Sequence, residues 1–349
     1  MSSIGVGVIG LGFMGRVHVA SYAPAHLSGL SSRLVAVADP RSDQMRGAGA
    51  GNLKVGEDSL ELGLEVRRYA SSEELIRDPE IELVSICTPT DTHADLAVAT
   101  LSAGKHVLLE KPVATSVGDV RRVAEAAARA GRLIMPAMCM RFWSGWTWLK
   151  QRVDEGARGE LGRLVGVTFT RMGAPPSWSP EFYLDRQRSG GALFDLHIHD
   201  ADFVQYCFGL PDSVVSQGTV DHLTTIYRYP PGRGPVRVVA EGGWGAAAGF
   251  PFRMRYTAQF EKGTADFELG RGAPLGPLLL ARGGKGEVVP LPSEGAYHAE
   301  VRHMLEAVAA FKAGAPVKLR ATIEDAERVT RMLHAERRSL ETGQAELVA

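Results

Sequence analysis

Through the first 140 positions apolar residues arrive in short, nearly continuous runs. IGVGVIG (4–10), RLVAVADP (33–40), IELVSICTP (81–89), KHVLLEKP (105–112) and RLIMPAMCM (132–140) are apolar for most of their length. Such runs predict strands buried on both faces. The stretches between them change period. RVHVASYAPAHL can form a helix; SSEELIRDPE (71–80) opens on serines, THADLAVATLSAG (92–104) closes on Gly104, and VGDVRRVAEAAARAG (117–131) is amphipathic. Strands alternating with helices predict an α/β fold with a doubly wound parallel sheet. Residues 47–66 form an insertion-like loop to which the sequence assigns no role.

After about residue 141 the pattern is different. RLVGVTFTRMG (163–173) alternates, and from 213 onward TTIYRYP, VRVVAEGGW, FRMRYTAQF, TADFELG and LLLARGG are separated by PPGRGP, EKGT and GGKGE. Period-two runs broken by turn residues predict hairpins in an open, mostly antiparallel sheet. A closing helix over 322–342 begins at Thr322, carries Glu324 and Asp325 in its first turn, and places Ile323, Ala326, Val329 and Leu333 on an apolar stripe. The expected organisation is a Rossmann domain over 1–135 and an α+β domain over 136–349, with the closing helix packing back toward the first.

Composition narrows the function classes. The 39 basic and 40 acidic residues leave a net charge of -1, which supplies no electrostatic attraction for nucleic acid or anionic membrane. The three cysteines, Cys87, Cys139 and Cys207, are far apart and form no CxxC pair. That spacing excludes a cysteine-rich zinc site and argues against a disulfide framework. With no signal peptide and no membrane-length apolar run, the expectation is a soluble cytoplasmic protein.

The candidate chemistry begins at Gly10-Leu11-Gly12-Phe13-Met14-Gly15, between the first strand and first helix. Gly10 permits a tight turn, Gly12 lets backbone approach a pyrophosphate, and Gly15 lets helix and strand pack closely. The backbone at Phe13 and Met14 opens the helix toward the anion. Asp39, ending the second strand, would bind the adenosine ribose and disfavour a 2′-phosphate, so NAD is expected. Arg41 could still accommodate NADP. At the ends of later strands lie Thr88 and Pro89 with His93, Glu110 with Lys111, and Arg141.

DLHIHDAD (195–202) crowds two histidines and three aspartates together. Three readings apply. His197 and His199 could bind a metal with Asp195 or His298, although nothing marks a full ligand set. Asp195 and Asp200 could merely cap a helix. Or, if the helix includes Asp195, then Asp195, His199 and Asp202 share a face, His197 points elsewhere, and the stretch can carry protons. Trp143, Trp146, Trp178 and Tyr183 could stack on a sugar or pack in a core.

GLGFMGRVH, the strand ending in Asp39, CTPTDTH, AGKHVLLEKP, GGALFDLHIHDADFVQYCFG, EGGW, EKGT and TIEDAERV follow one another in that order. Together they resemble the Gfo/Idh/MocA oxidoreductases along nearly the whole chain. The resemblance implies that Lys111 is the catalytic lysine of EKP and that Asp195 and His199 are the substrate-side acid and histidine. It implies that Gly10, Gly12, Gly15 and Asp39 hold the cofactor, and that Thr88, Pro89, His93 and Glu110 line its nicotinamide end. Members often carry glycine where this chain has His197, which would then narrow the pocket or contact substrate, as would Arg141 and Trp178.

The expected reaction transfers hydride between NAD(P) and a secondary alcohol or ketone of a sugar, inositol or related polyol, with no metal required. Lysine's ordinary pKa of about 10.4 is too high for a base. Burial and a neighbouring cation would lower it, and His199 can relay the proton if Asp195 orients its ring. The alternatives are transient oxidation during glycoside cleavage, or a dinucleotide sensor without turnover. The open sheet predicts a homodimer or homotetramer.

Overall fold

The computed structural model of the chain describes residues 3–23, 29–41, 62–177, 179–270 and 276–348; Trp178 and most of the 47–66 loop lie outside them. Two compact units are present. One comprises Met1–Cys139 and Gly295–Glu327, the other Met140–Glu294 and Arg328–Ala349. The sequence pattern places residues 295–321 in the second domain and has only the closing helix, 322–342, return toward the first.

In the first unit β1 (Ile4–Ile9), β2 (Ser32–Ala38), β3 (Arg67–Tyr69), β4 (Leu83–Ile86), β5 (His106–Glu110) and β6 (Ile134–Ala137) form a parallel sheet ordered β3-β2-β1-β4-β5-β6. Every residue of β1, β4, β5 and β6 is buried, as continuous apolar runs demand. The connecting helices are α1 (Phe13–Ser21), α2 (Ser72–Arg77), α3 (His93–Ser102) and α4 (Val117–Ala130). Ser71 caps α2 and Ser116 caps α4 by accepting from the Glu74 and Asp119 amides, and Gly131 ends α4 in the left-handed region. Strand order reverses between β1 and β4, the point where sheets of this kind bind ligands.

The second unit opens with α5 (Ser144–Glu155), β7 (Leu164–Met172), and the short α6 (Pro180–Tyr183) and α7 (Arg186–Ser189). A π-helical turn, Leu193–His197, then runs into α8 (Ile198–Phe208). β8 (Ser213–Thr219), β9 (His222–Arg228), β10 (Arg237–Gly243), β11 (Arg253–Phe260), β12 (Gly263–Gly270), β13 (Leu278–Arg282), β14 (Lys285–Val289) and β15 (Glu346–Leu347) complete a nine-stranded sheet. Its order is β14-β13-β12-β11-β7-β10-β9-β8-β15, and β7 with β10 is its parallel pair. The chain returns through α9 (Ala296–Lys312), which packs on α1 and β5 in the first unit. α10 (Ile323–Thr342) crosses the boundary between units at Glu327. No helix among the described residues is long and apolar enough to cross a membrane.

Aromatic rings and a buried ion pair join α5 and α8 to the second sheet. Trp146 meets Tyr256 and Phe267 edge-on, with centroids 5.6 and 5.2 Å apart, and Phe169 meets Phe203 at 6.0 Å. Trp146 is fully buried, which assigns it to the core rather than to a sugar-stacking surface. The Arg171 guanidinium donates to both Asp200 oxygens at 3.0 Å, and both residues are buried. Removing the cation leaves Asp200 charged and unanswered in the interior. Arg171→Ala is therefore expected to destabilise the second unit by about 3–5 kcal/mol, measurable by urea unfolding followed through tryptophan fluorescence.

Candidate active site

The glycine turn is shaped by two close approaches. Gly10 has φ +86°, and a Cβ there would lie 2.6 Å from the Cys87 carbonyl oxygen, so the ends of β1 and β4 could not meet. A Cβ on Gly15 would lie 1.8 Å from the Gly10 carbonyl oxygen. Gly12 is different: a Cβ would meet nothing within 4 Å. It precedes α1, whose N-terminus has no side-chain cap and no acidic residue in its first turn. Open space before unoccupied helix amides suits a pyrophosphate. Phe13 and Met14, the first residues of that helix, are half-buried.

Asp39 is 5% exposed and takes part in this turn. Its Oδ2 accepts the Leu11 amide at 2.8 Å and its Oδ1 the Arg41 amide at 2.9 Å. Lone pairs remain for a ribose hydroxyl. Arg41 is exposed, with its Nε 3.8 Å from Oδ1. These features fit NAD: a cradle, an anion-binding helix terminus, and an anchored acid.

At the ends of β4 and β5 the structure corrects two expectations. His93 does not line a ligand surface. It is 1% exposed, with Nδ1 2.7 Å from the Pro112 carbonyl oxygen and Nε2 2.8 Å from that of Thr88. The ring thus ties the CTP loop to the EKP loop, and only a doubly protonated imidazole donates to both carbonyls at once. Burial pulls its pKa below the ordinary value, against the pull of the two carbonyls and Glu110. Glu110 also turns inward. One oxygen meets His18 Nε2 at 3.1 Å and the other accepts the Lys111 amide at 3.1 Å. Burial raises its pKa, but the bond to His18 and the charges of His18, Lys111 and His93 outweigh it, so the carboxyl is held below its usual range. His18 Nδ1 continues to Ser85 Oγ at 3.1 Å, and Ser85 to the Tyr22 hydroxyl at 2.8 Å. Lys111 itself is half-buried, as is Thr88, while Pro89 is exposed.

His18, Ser85 and Tyr22 escaped assignment from the sequence. Their signal was present: His18 and Tyr22 lie four residues apart, hence on one face, just after the glycine turn.

DLHIHDAD separates into an open pair and a buried remainder. Across residues 191–205 only Asp195 and His199 are half-exposed. Asp200 is held by Arg171, and Asp202 by Arg141 at 2.8 and 2.6 Å, so Asp202 leaves the face on which it was expected. Arg141 is 1% exposed and lies 4.4 Å over the Tyr206 ring, which withdraws it from substrate contact. His197 is withdrawn too. It is fully buried, its Nε2 2.8 Å from Glu336 Oε2 and 3.2 Å from the Tyr227 hydroxyl. Trp178 lies outside the described residues. Among the described residues no three His, Cys, Asp or Glu side chains are grouped as a metal ion would require.

Comparison with known proteins identifies both parts of the chain. Residues 4–138 match the family described as oxidoreductase family, NAD-binding Rossmann fold, and residues 146–266 match the GFO/IDH/MocA C-terminal domain. The chain is 30% identical over 240 residues to a myo-inositol 2-dehydrogenase of Thermotoga maritima, an alignment covering 65% of each, less than two thirds of that enzyme's length. It is 31% identical over 248 residues to an uncharacterised oxidoreductase of Rhizobium meliloti, covering 69% of each. A levoglucosan dehydrogenase solved with NADH and levoglucosan shares the fold, with TM-score 0.77 and 21% identity over 99% of this chain and 100% of that one. The sheet with its glycine turn and the second sheet with its DLHIHDAD helix are thus those of one lineage, and the chain belongs to the Gfo/Idh/MocA oxidoreductase family.

Proposed function

We propose that the protein is an NAD(P)-dependent dehydrogenase that interconverts a secondary alcohol and a ketone on a sugar, inositol or related polyol. The observation that carries this reading is the selective exposure of Asp195 and His199 in a stretch whose other residues are buried. The names of the relatives, inositol and levoglucosan dehydrogenases, support the substrate class.

When bound, the nicotinamide supplies the hydride acceptor. Gly10, Gly12, Gly15 and the amides at Phe13 and Met14 hold the pyrophosphate, and Asp39 takes a ribose hydroxyl. Thr88 and Pro89 border the nicotinamide end. Lys111 and His199 together manage the proton of the substrate hydroxyl, and Asp195 orients the imidazole or binds a neighbouring hydroxyl. His93 and Glu110 serve the loop that presents Lys111 without touching cofactor.

The first test is calorimetry with NAD(H) and NADP(H) on wild type and Asp39→Ala. Wild type is expected to prefer NAD(H). Asp39→Ala strands the buried Leu11 amide as well as losing the ribose contact, so NAD(H) affinity should fall by about tenfold or more, without a gain for NADP(H). A wild type that binds neither cofactor removes the dehydrogenase reading. In steady-state assays over a polyol panel, Lys111→Ala should lower kcat by roughly 10²- to 10⁴-fold while binding NADH as before. Near-normal turnover would dismiss Lys111 from the mechanism. Accumulating NADH, rather than cofactor regenerated as a glycosidic bond breaks, marks a net oxidation.

The same proposal places the protein in a reducing, cytoplasmic setting, where the free thiols Cys87, Cys139 and Cys207 persist. It also has copies associating through the outer face of the second sheet. That face is a polar ladder: Arg237 donates to Thr168 and Gln259 at 2.7 and 3.0 Å, and Thr257 to Asp266 at 2.5 Å. Light scattering is expected to find a dimer or tetramer, and a stable monomer would overturn this part.

A further inference from the structure

The π-helical turn Leu193–His197 carries Asp195 and runs directly into His199, yet its other side chains are held from three directions. From the sheet, Leu196 and Ala192 pack with Trp244. From the turn between β8 and β9, the Val220 carbonyl accepts the Leu193 amide at 2.8 Å. From α10, His334 meets the Phe194 ring edge-on at 5.5 Å, and Arg337 lies 4.9 Å over it. The fourth contact is polar and lies deepest. His197 Nε2 donates to Glu336 Oε2 at 2.8 Å, and Thr225 donates to the same oxygen at 3.1 Å. The Tyr227 hydroxyl stands 3.2 Å from His197 Nε2 and also hydrogen-bonds Glu336; burial first, then the charge of Glu336, hold it in its protonated, donating form.

His197 and Glu336 are both 0% exposed, and His197 Nδ1 has no hydrogen-bond partner. That nitrogen abuts Gly242, where a Cβ would come within 2.8 Å of it. In the tautomer protonated at Nε2 alone, Nδ1 presents a lone pair to the Gly242 backbone, the less costly way to leave one imidazole nitrogen unmatched. So a histidine that makes no contact with solvent fixes the π-turn to α10 and to β9, two residues from Asp195 and two from His199. Glycine at this position could supply no such anchor.

We propose that His197 and Glu336 are positioning residues: the buried pair sets the rotation of the π-turn and thereby the direction in which Asp195 and His199 point. Its effect on turnover rests on the roles proposed above for those two residues; the positioning itself does not. A displacement of even about 1 Å at a reacting group costs on the order of 10²-fold in rate.

The experiment compares wild type with Glu336→Leu, Glu336→Gln and Gly242→Ala. It reads the His199 imidazole resonance and its titration by NMR (assigned with His199→Gln), kcat/KM on the accepted polyol, and NADH affinity by fluorescence. Glu336→Leu and Gly242→Ala should shift the His199 resonance and lower kcat/KM by roughly 10- to 100-fold, with NADH affinity unchanged. Glu336→Gln, whose amide oxygen still accepts from His197, should recover most of the activity and the wild-type resonance. A folded Glu336→Leu protein with wild-type resonance and turnover overturns the assignment, as does Glu336→Gln failing as badly as Glu336→Leu. Parallel loss of NADH binding also overturns it, because the damage is then general. If wild type binds NADH but oxidises no polyol, the dehydrogenase reading fails alone, and the His199 resonance still decides the positioning.

Discussion

A carboxylate taken out of water must be met by donors, and most of what holds this protein's functional elements in place is an answer to that requirement. Asp39 is met by the amides of Leu11 and Arg41, and the glycine turn is fixed as a result. Glu110 is met by His18 and by the amide of Lys111, which sets the end of β5. In the second unit Asp200, Asp202 and Glu336 are met by Arg171, Arg141 and His197 respectively. Each pairing is intolerant of losing one member, and each lies within a few residues of a group expected to act on cofactor or substrate. Rigidity is thus concentrated beside the chemistry.

The five charged or ionisable residues packed into DLHIHDAD divide their labour along these lines. Asp200 and Asp202 hold the helix to β7 and to the segment before α5, and His197 holds its first turn to α10. Asp195 and His199 stay half-exposed. A short polar cluster that reads as a single motif is in fact two devices.

Much of the fold was legible. The continuous apolar runs marked β1, β4, β5 and β6, and the glycine turn with Asp39 stood in its required context. The serine-led, glycine-closed and amphipathic segments became α2, α3 and α4, the last two close to their expected limits. What the sequence concealed was mostly non-local. Whether His93, Arg141 or His197 faces a ligand or an internal partner depends on residues 19, 61 and 30 positions away, which no local pattern encodes. The parallel β7–β10 pair breaks the hairpin rule because each strand's partner is chosen by the sheet, not by the turn beside it. α9 was overlooked although Val301, Met304, Leu305 and Val308 follow a helical period and are all buried. The π-turn leaves no mark in the residue order.

The late return of the chain has a consequence for how the protein comes to be made. α9 packs on α1 and β5, so the first unit is assembled from stretches separated by the whole of the second sheet's main body. On a ribosome adding about 5–20 residues per second, roughly ten to forty seconds separate the emergence of residue 139 from that of residue 327. During that interval the glycine turn and Lys111 are already synthesised, but the helix that covers α1 and β5 is not. The first unit is therefore complete only after the hairpins of the other unit have left the tunnel.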